Sequence, residues 1–222
     1  MGLGALISKW LFPPKCVFCR KVLPKDGICD RCKETLPYRH PVKSKESVMF
    51  VDGVYSCFHY EGDVRNAIIR YKFAGLDKYA FDFAKFLEVC VEKNLDGEYD
   101  IISWVPLSKK RKRRRGYDQA KRLAEELSVK LGRNCVRTLI KCRDAAPQSR
   151  QTNASSRKAN VLGAYKIAGT DVAGKRIIII DDVFTTGSTV SECARILKTA
   201  GAEKVFVVTL AKTRPAKKEL KN

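Results

Sequence analysis

Apolar positions in this chain switch between two rhythms, and the switching predicts a doubly wound α/β domain. Val48 to Tyr60, rich in Val, Phe, Tyr and Cys, reads as a strand with a turn at Asp52-Gly53. Two helices follow, about Val64–Phe73 and Lys78–Lys93. The second places Tyr79, Phe83, Phe86, Leu87 and Cys90 on one face at spacings of three and four. Beyond Gly97, Ile101–Pro106 is a short apolar strand. A basic loop then leads into a helix whose Ala120, Leu123, Ala124, Leu127 and Leu131 share a face and which stops at Gly132. Cys135–Ile140 is the next strand, residues 141–160 form an aperiodic polar loop, and Val161–Ile167 is another strand. Lys175–Val183, with four consecutive isoleucines, is a strand buried on both faces. A helix with Val190, Cys193, Ala194 and Leu197 inward follows, with Gly201 after its end, and Val205–Leu210 closes the sheet. Strands alternating with helices predict a largely parallel sheet flanked by helices on both faces.

The first 45 residues do not fit that rhythm. They are Cys-rich, punctuated by Pro and too small for an apolar core of their own, so the chain divides into a 1–45 unit and a 46–222 domain. Within the domain, 46–97 supply a linking strand and helices and 98–211 the core. Cys16-x2-Cys19-x9-Cys29-x2-Cys32 is a pair of knuckles that brings four thiolates to one cation, a closed tetrahedral site of the structural kind. In so small a segment zinc binding supplies folding energy. Two disulfides or a redox dithiol are the competing readings. Four cysteines complete a zinc shell, so His40 and His59 read as ordinary polar residues. The other five cysteines, Cys57, Cys90, Cys135, Cys142 and Cys193, are scattered, which suits a reducing, cytoplasmic setting.

Charge adds a constraint on partners. Of 222 residues, 44 are Lys or Arg and 24 Asp or Glu, a net +20, which calls for an anionic partner: nucleic acid, lipid or a polyphosphate. No segment approaches the ~18 apolar residues of a membrane span. Met1–Leu11 is a poor signal peptide, and Leu6 stands where a myristoylation motif needs Ser or Thr. It reads as a short helix packed on the body. The expected location is the cytoplasm, with recruitment to the inner face of the membrane left open.

The most informative string is Ile177-Ile-Ile-Ile-Asp-Asp-Val-Phe-Thr-Thr-Gly-Ser-Thr189. A strand buried on both faces opens at its carboxyl end, where ligands bind in parallel sheets. Adjacent Asp181 and Asp182 there need a partner, and the vicinal hydroxyls of a ribose suit them. Thr185, Thr186, Gly187, Ser188 and Thr189 then open a helix. Their hydroxyls and backbone N–H groups converge on its N-terminus, a ready phosphate site, and Gly187 lets the anion come close. Sugar diol beside phosphate describes ribose 5-phosphate; the plain alternative is an ordinary capped strand–helix junction. Upstream, seven consecutive basic residues, Lys109, Lys110, Arg111, Lys112, Arg113, Arg114 and Arg115, precede Gly116-Tyr-Asp-Gln119. Such a run neutralises a departing pyrophosphate, grips a nucleic-acid backbone, or is a solvated tract.

The string at 177–189 resembles the phosphoribosyl pyrophosphate (PRPP) motif of type I phosphoribosyltransferases. Val105-Pro-Leu, the basic run and Arg115-Gly-Tyr-Asp-Gln119 are similar to one subgroup, the ComF family. Tyr60-x-Gly62 with Arg65, Lys72-x-x-Gly75, Gln148, Arg157, Asn160 and Gly163-Ala-Tyr165 add to the likeness, which runs from Cys16 to Leu210. The resemblance implies the type I phosphoribosyltransferase fold with an N-terminal zinc unit. Asp181 and Asp182, the candidate catalytic pair, would hold the ribose hydroxyls, and Thr185–Thr189 the 5-phosphate. Mg²⁺ would arrive with the pyrophosphate. Arg115, Gly116 and Gln119 would face the pyrophosphate, and Arg157 would lie in a loop closing over the ligand. The zinc unit and the helices at 64–93 would form the hood over the cleft.

Three functions are consistent with this. One is a PRPP-binding protein of natural competence that contacts single-stranded DNA through Lys109–Arg114, with Phe18, Tyr38 and Tyr117 as stacking candidates, alongside other DNA-uptake proteins. Another is a Mg²⁺-dependent transferase moving ribose 5-phosphate to an unidentified base or amine. The last is a non-catalytic PRPP sensor.

Overall fold

The structure, a computed structural model, describes residues 13–39, 47–143 and 162–214. Four strands form one parallel sheet: β1 (Gly53–His59), β2 (Ile101–Trp104), β5 (Arg176–Phe184) and β6 (Lys204–Lys212), in the order β1-β6-β5-β2. A separate two-stranded antiparallel ribbon pairs β3 (Leu139–Lys141) with β4 (Tyr165–Ile167).

The four isoleucines of β5 show how the sheet faces both ways. Side chains alternate along a strand, so Ile178 and Ile180 enter one core and Ile177 and Ile179 the other. All four are fully buried, each contributing roughly 1.5–3 kcal/mol relative to exposure. The first core is covered by α2 (Gly62–Phe73), α3 (Tyr79–Leu95) and α5 (Gln119–Leu131), through Ile68, Phe83, Leu87, Leu123 and Leu127. The second is covered by α6 (Ser188–Thr199), through Val190, Cys193, Ala194 and Leu197. The inward positions inferred from helical spacing on α5 and α6 are thus in the core, apart from Leu131, which is only partly buried.

The N-terminal unit, with its short helix α1 (Asp30–Thr35), shares the first core. Phe18 packs its ring against Phe58, Phe83 and Phe86, with centroids 5.6, 5.8 and 5.8 Å apart. At 1% exposure Phe18 is packing and not a stacking platform, which corrects that expectation. Arg70 of α2 donates to the carbonyls of Val17 and Phe18, and Arg31 pairs with Asp63 at 3.1 Å. The knuckles are therefore fastened to α2 at both of its ends.

Two expectations change. The basic run is not a loop but a seven-residue helix, α4 (Lys109–Arg115). Like charges one turn apart oppose it, yet both ends are capped. The Ser108 hydroxyl accepts the Arg111 N–H, and Gly116 turns left-handed at φ 82° to close the last turn. The strands expected at 135–140 and 161–167 do not extend the main sheet. Cys135 makes a single bridge to Ile102, after which the chain leaves the edge and Leu139 pairs with Ile167. The tail from Pro215, His40, residues 1–12 and residues 144–161 lie outside the described residues.

Candidate functional site

β5 carries Asp181 and Asp182 near its carboxyl end, just before Val183 and Phe184, and the cleft forms around them. Asp182 is 8% exposed and pairs with Lys72 Nζ at 2.7 Å. Its backbone N–H donates to Asp181 Oδ1 at 2.8 Å. Burial, and then the neighbouring Asp182 charge, push the Asp181 carboxyl up to about 7, with Lys72 pulling the other way.

Thr185, Thr186 and Gly187 come next, and α6 begins at Ser188. Gly187 holds φ 77°, and a Cβ there would stand 3.0 Å from Phe184 Cζ, so conformation and space both require glycine. The Thr186 and Ser188 hydroxyls lie 3.0 Å apart, and Thr189 lines the cleft. The hydroxyls of Thr185, Thr186, Ser188 and Thr189 gather at the positive end of a 12-residue helix, where the electrostatics suit an anion.

The opposite wall is built from the end of β2 onward. Val105, Pro106 and Leu107 edge the cleft, and α4 turns Arg111 and Arg115, four residues apart, towards it. Arg115 donates to Gln119 Oε1 at 2.8 Å and lies over the Phe73 ring, 4.9 Å from its centroid. Burial, ahead of its charged neighbours, lowers the Arg115 pKa. Asp118 caps α5 by accepting the Lys121 N–H, and its other oxygen accepts from Leu107 N, which clamps the wall to the helix. Tyr117 donates to the Tyr71 carbonyl and packs on the Tyr71 ring at 5.4 Å, so it faces α2.

The cleft, about 150 Å³, is thus lined by Lys72, Arg111, Arg115 and Lys141 against Asp181 and Asp182. Arg115, Gln119, both acids and Thr189 meet there as the sequence suggested. Arg111, grouped by sequence with the nucleic-acid run, lines the cleft as well. Gly116 serves as the C-cap of α4. Lys72, Lys141 and Tyr165 were not singled out as site residues, although Lys72 and Tyr165 sit in strings that carried the resemblance. Arg157 lies outside the described residues.

The far face of α4 makes a second groove. Lys109, Lys110 and Arg113 share it with Lys141, Cys142 and Arg143. At the N-terminus, the sulfurs of Cys16, Cys19, Cys29 and Cys32 lie within 4.8 Å of one another, and Cys19 and Cys29 are 3.5 Å apart. A tetrahedron with Zn–S of about 2.3 Å has edges of about 3.8 Å, so four sulfurs this close match a structural zinc. Among the described residues this is the one cluster of metal-ligating side chains. No described helix is long and apolar enough to cross a membrane.

Comparisons with known proteins agree with this layout. A family model described as "Phosphoribosyl transferase domain" matches residues 113–222, and one described as "Double zinc ribbon domain" matches residues 7–47. The chain is 31% identical over 218 residues to the DNA utilization protein YhgH of Salmonella typhimurium, covering 93% of this chain and 92% of that one. It is 27% identical over 205 residues to competence protein F of Haemophilus influenzae, covering 89% and 90%. With competence protein ComFC of Streptococcus pneumoniae it shares 30% identity over 155 residues, covering 70% and 66%.

Proposed function

The chain belongs to the ComF family, and from that premise we propose that it binds PRPP with Mg²⁺ at the end of β5 and contacts single-stranded DNA through α4. One observation carries the first part. Asp181, Asp182 and Thr189, the last residue of the 185–189 loop, line one cleft whose other wall is cationic. The carboxylates accept the ribose 2- and 3-hydroxyls, and the hydroxyls and N–H groups at the start of α6 take the 5-phosphate. Arg111 and Arg115 face the pyrophosphate. Mg²⁺ would be held largely by the polyphosphate and water beside Asp181 and Asp182, as suits an ion that keeps most of its hydration shell. Bound there, Mg²⁺ neutralises charge on the pyrophosphate. Should turnover occur, positioning and charge stabilisation are what this cleft offers the reaction at C1.

The second part rests on Lys109, Lys110 and Arg113, which stand exposed on the groove side of α4. A backbone of phosphates suits them better than one pyrophosphate. The named relatives are competence and DNA utilization proteins, and a role in handling incoming DNA in the cytoplasm accords with that. Nine free cysteines accord with a reducing compartment.

Calorimetric titration of Mg²⁺–PRPP into the wild type and into Asp181→Asn/Asp182→Asn tests the site. The double variant is expected to lose measurable binding while keeping its zinc and its fold. Equal binding by both proteins would remove the assignment.

A further inference from the structure

Lys72 is the one cation of the cleft that comes from the hood and not from the wall beyond β2. It projects from the last turn of α2, 18% exposed at the side chain, and its Nζ touches Asp182 Oδ1 at 2.7 Å. This is no swinging surface lysine. α2 is pinned by Arg31 to Asp63 at its start and by Arg70 to the knuckle carbonyls of Val17 and Phe18 near its end. Phe73, the next residue, stacks under Arg115. The ammonium group is therefore delivered to a defined place beside the acidic pair.

We propose that Lys72 is a built-in cation that bars a free divalent metal from Asp181 and Asp182, so that the site takes Mg²⁺ only as it arrives on a polyphosphate. The inference deepens the PRPP reading and rests on it. Adjacent carboxylates at a strand end would otherwise attract a bare divalent ion. With Lys72 in contact, and Arg111, Arg115 and Lys141 across the cleft, the charges lining the site sum to positive. A bare Mg²⁺ is repelled by that field, whereas an anion carrying Mg²⁺ is drawn in. Lys72 is in this view a positioning residue that sets the order of binding. Its fixed mount couples that order to the zinc unit.

The test is direct binding of Mn²⁺, followed by electron paramagnetic resonance, in the absence of PRPP. Wild type and Lys72→Arg are expected to show only weak binding. Lys72→Met, which keeps the stem and removes the charge, is expected to bind Mn²⁺ roughly ten-fold tighter or more, and Lys72→Met/Asp182→Asn to lose that gain. Lys72→Met binding Mn²⁺ no better than wild type, or wild type already binding it tightly at Asp182, would overturn the proposal. A merely structural role for Lys72 predicts lower thermal stability without new metal affinity. Titrating wild type with Mg²⁺–PRPP alongside separates the two claims. A failed titration with Mn²⁺ gained by Lys72→Met would sink the PRPP reading and leave the charge barrier standing.

Discussion

Asp182 at the end of β5 is buried beside Lys72 at 2.7 Å, whereas Lys109, Lys110 and Arg113 on α4 stand in solvent with no ion pair among the described residues. Both regions flank Arg111 and Arg115, yet they hold charge in opposite ways. The acidic end is embedded in a sheet whose geometry is set by two packed cores, so its charges recognise a ligand by position. The basic helix is capped at both ends and leaves Lys109–Arg114 exposed, with Arg115 half-buried over Phe73, so its outer charges act by number and range. Buried charge interacts at short distance and is hardly screened, while exposed charge weakens within a Debye length of about 8 Å at physiological salt. One region suits a small sugar phosphate, and the other a long, flexible polyanion.

Removing the exposed charges breaks the comparison on one side only. Lys109→Ser/Lys110→Ser/Arg113→Ser is expected to lower the salt dependence of single-stranded DNA binding by about 2 in log–log slope, taking roughly 0.7 for each phosphate no longer neutralised. That slope is worth about a hundred-fold in affinity over a ten-fold change in salt. Mg²⁺–PRPP binding should stay within about three-fold, because Arg111 and Arg115 are retained. Fluorescence anisotropy with a labelled oligonucleotide at four salt concentrations reads the slope. An unchanged slope would move the DNA contact off α4.

The reverse cut is made at Gly187. Alanine there meets a φ of 77° and a Cβ contact of 3.0 Å with Phe184 Cζ, so the loop must deform. A left-handed residue bearing a Cβ costs about 1–2 kcal/mol. If the loop takes that strain, Gly187→Ala should bind Mg²⁺–PRPP roughly ten-fold more weakly, with oligonucleotide binding unaltered. Calorimetry on the two ligands checks both halves, and equal affinity for Mg²⁺–PRPP would show that the loop does not hold the phosphate.

The same contrast explains what the sequence made legible. The acidic site is a contiguous string, so its strand, its two acids and its turn can be read together, and buried isoleucines on both faces leave little doubt about a parallel sheet. The four-cysteine cluster is legible for a similar reason, since two short knuckles carry all the ligands. Helix α4 was not, because seven adjacent like charges show no apolar face, and its existence depends on caps at Ser108 and Gly116. Lys72 belongs to a helix with its own packing pattern, and nothing local marks its contact with a residue on β5. The ribbon of β3 and β4 escaped because each strand has three residues, too few for alternation to declare which sheet they join.

A further expected effect is electrostatic and separates Asp181 from Asp182. Asp181 is raised from 3.8 to about 7, first by burial and then by the Asp182 charge. Its carboxyl therefore binds more protons in the folded chain than in the unfolded one between those values. By linkage, stability falls as pH rises through that window, and it is fully felt as a loss above it. Asp181→Asn removes the penalty, so the variant should gain stability over wild type at pH 8 and match it near pH 4. In the PRPP reading, the ionised carboxylate is the stronger acceptor for a ribose hydroxyl. Binding near pH 7 should then release a fraction of a proton. The release shows as a dependence of the calorimetric enthalpy on buffer ionisation heat, and it should vanish in Asp181→Asn if that variant still binds. A wild type whose enthalpy is the same in every buffer would show that Asp181 does not change protonation on binding.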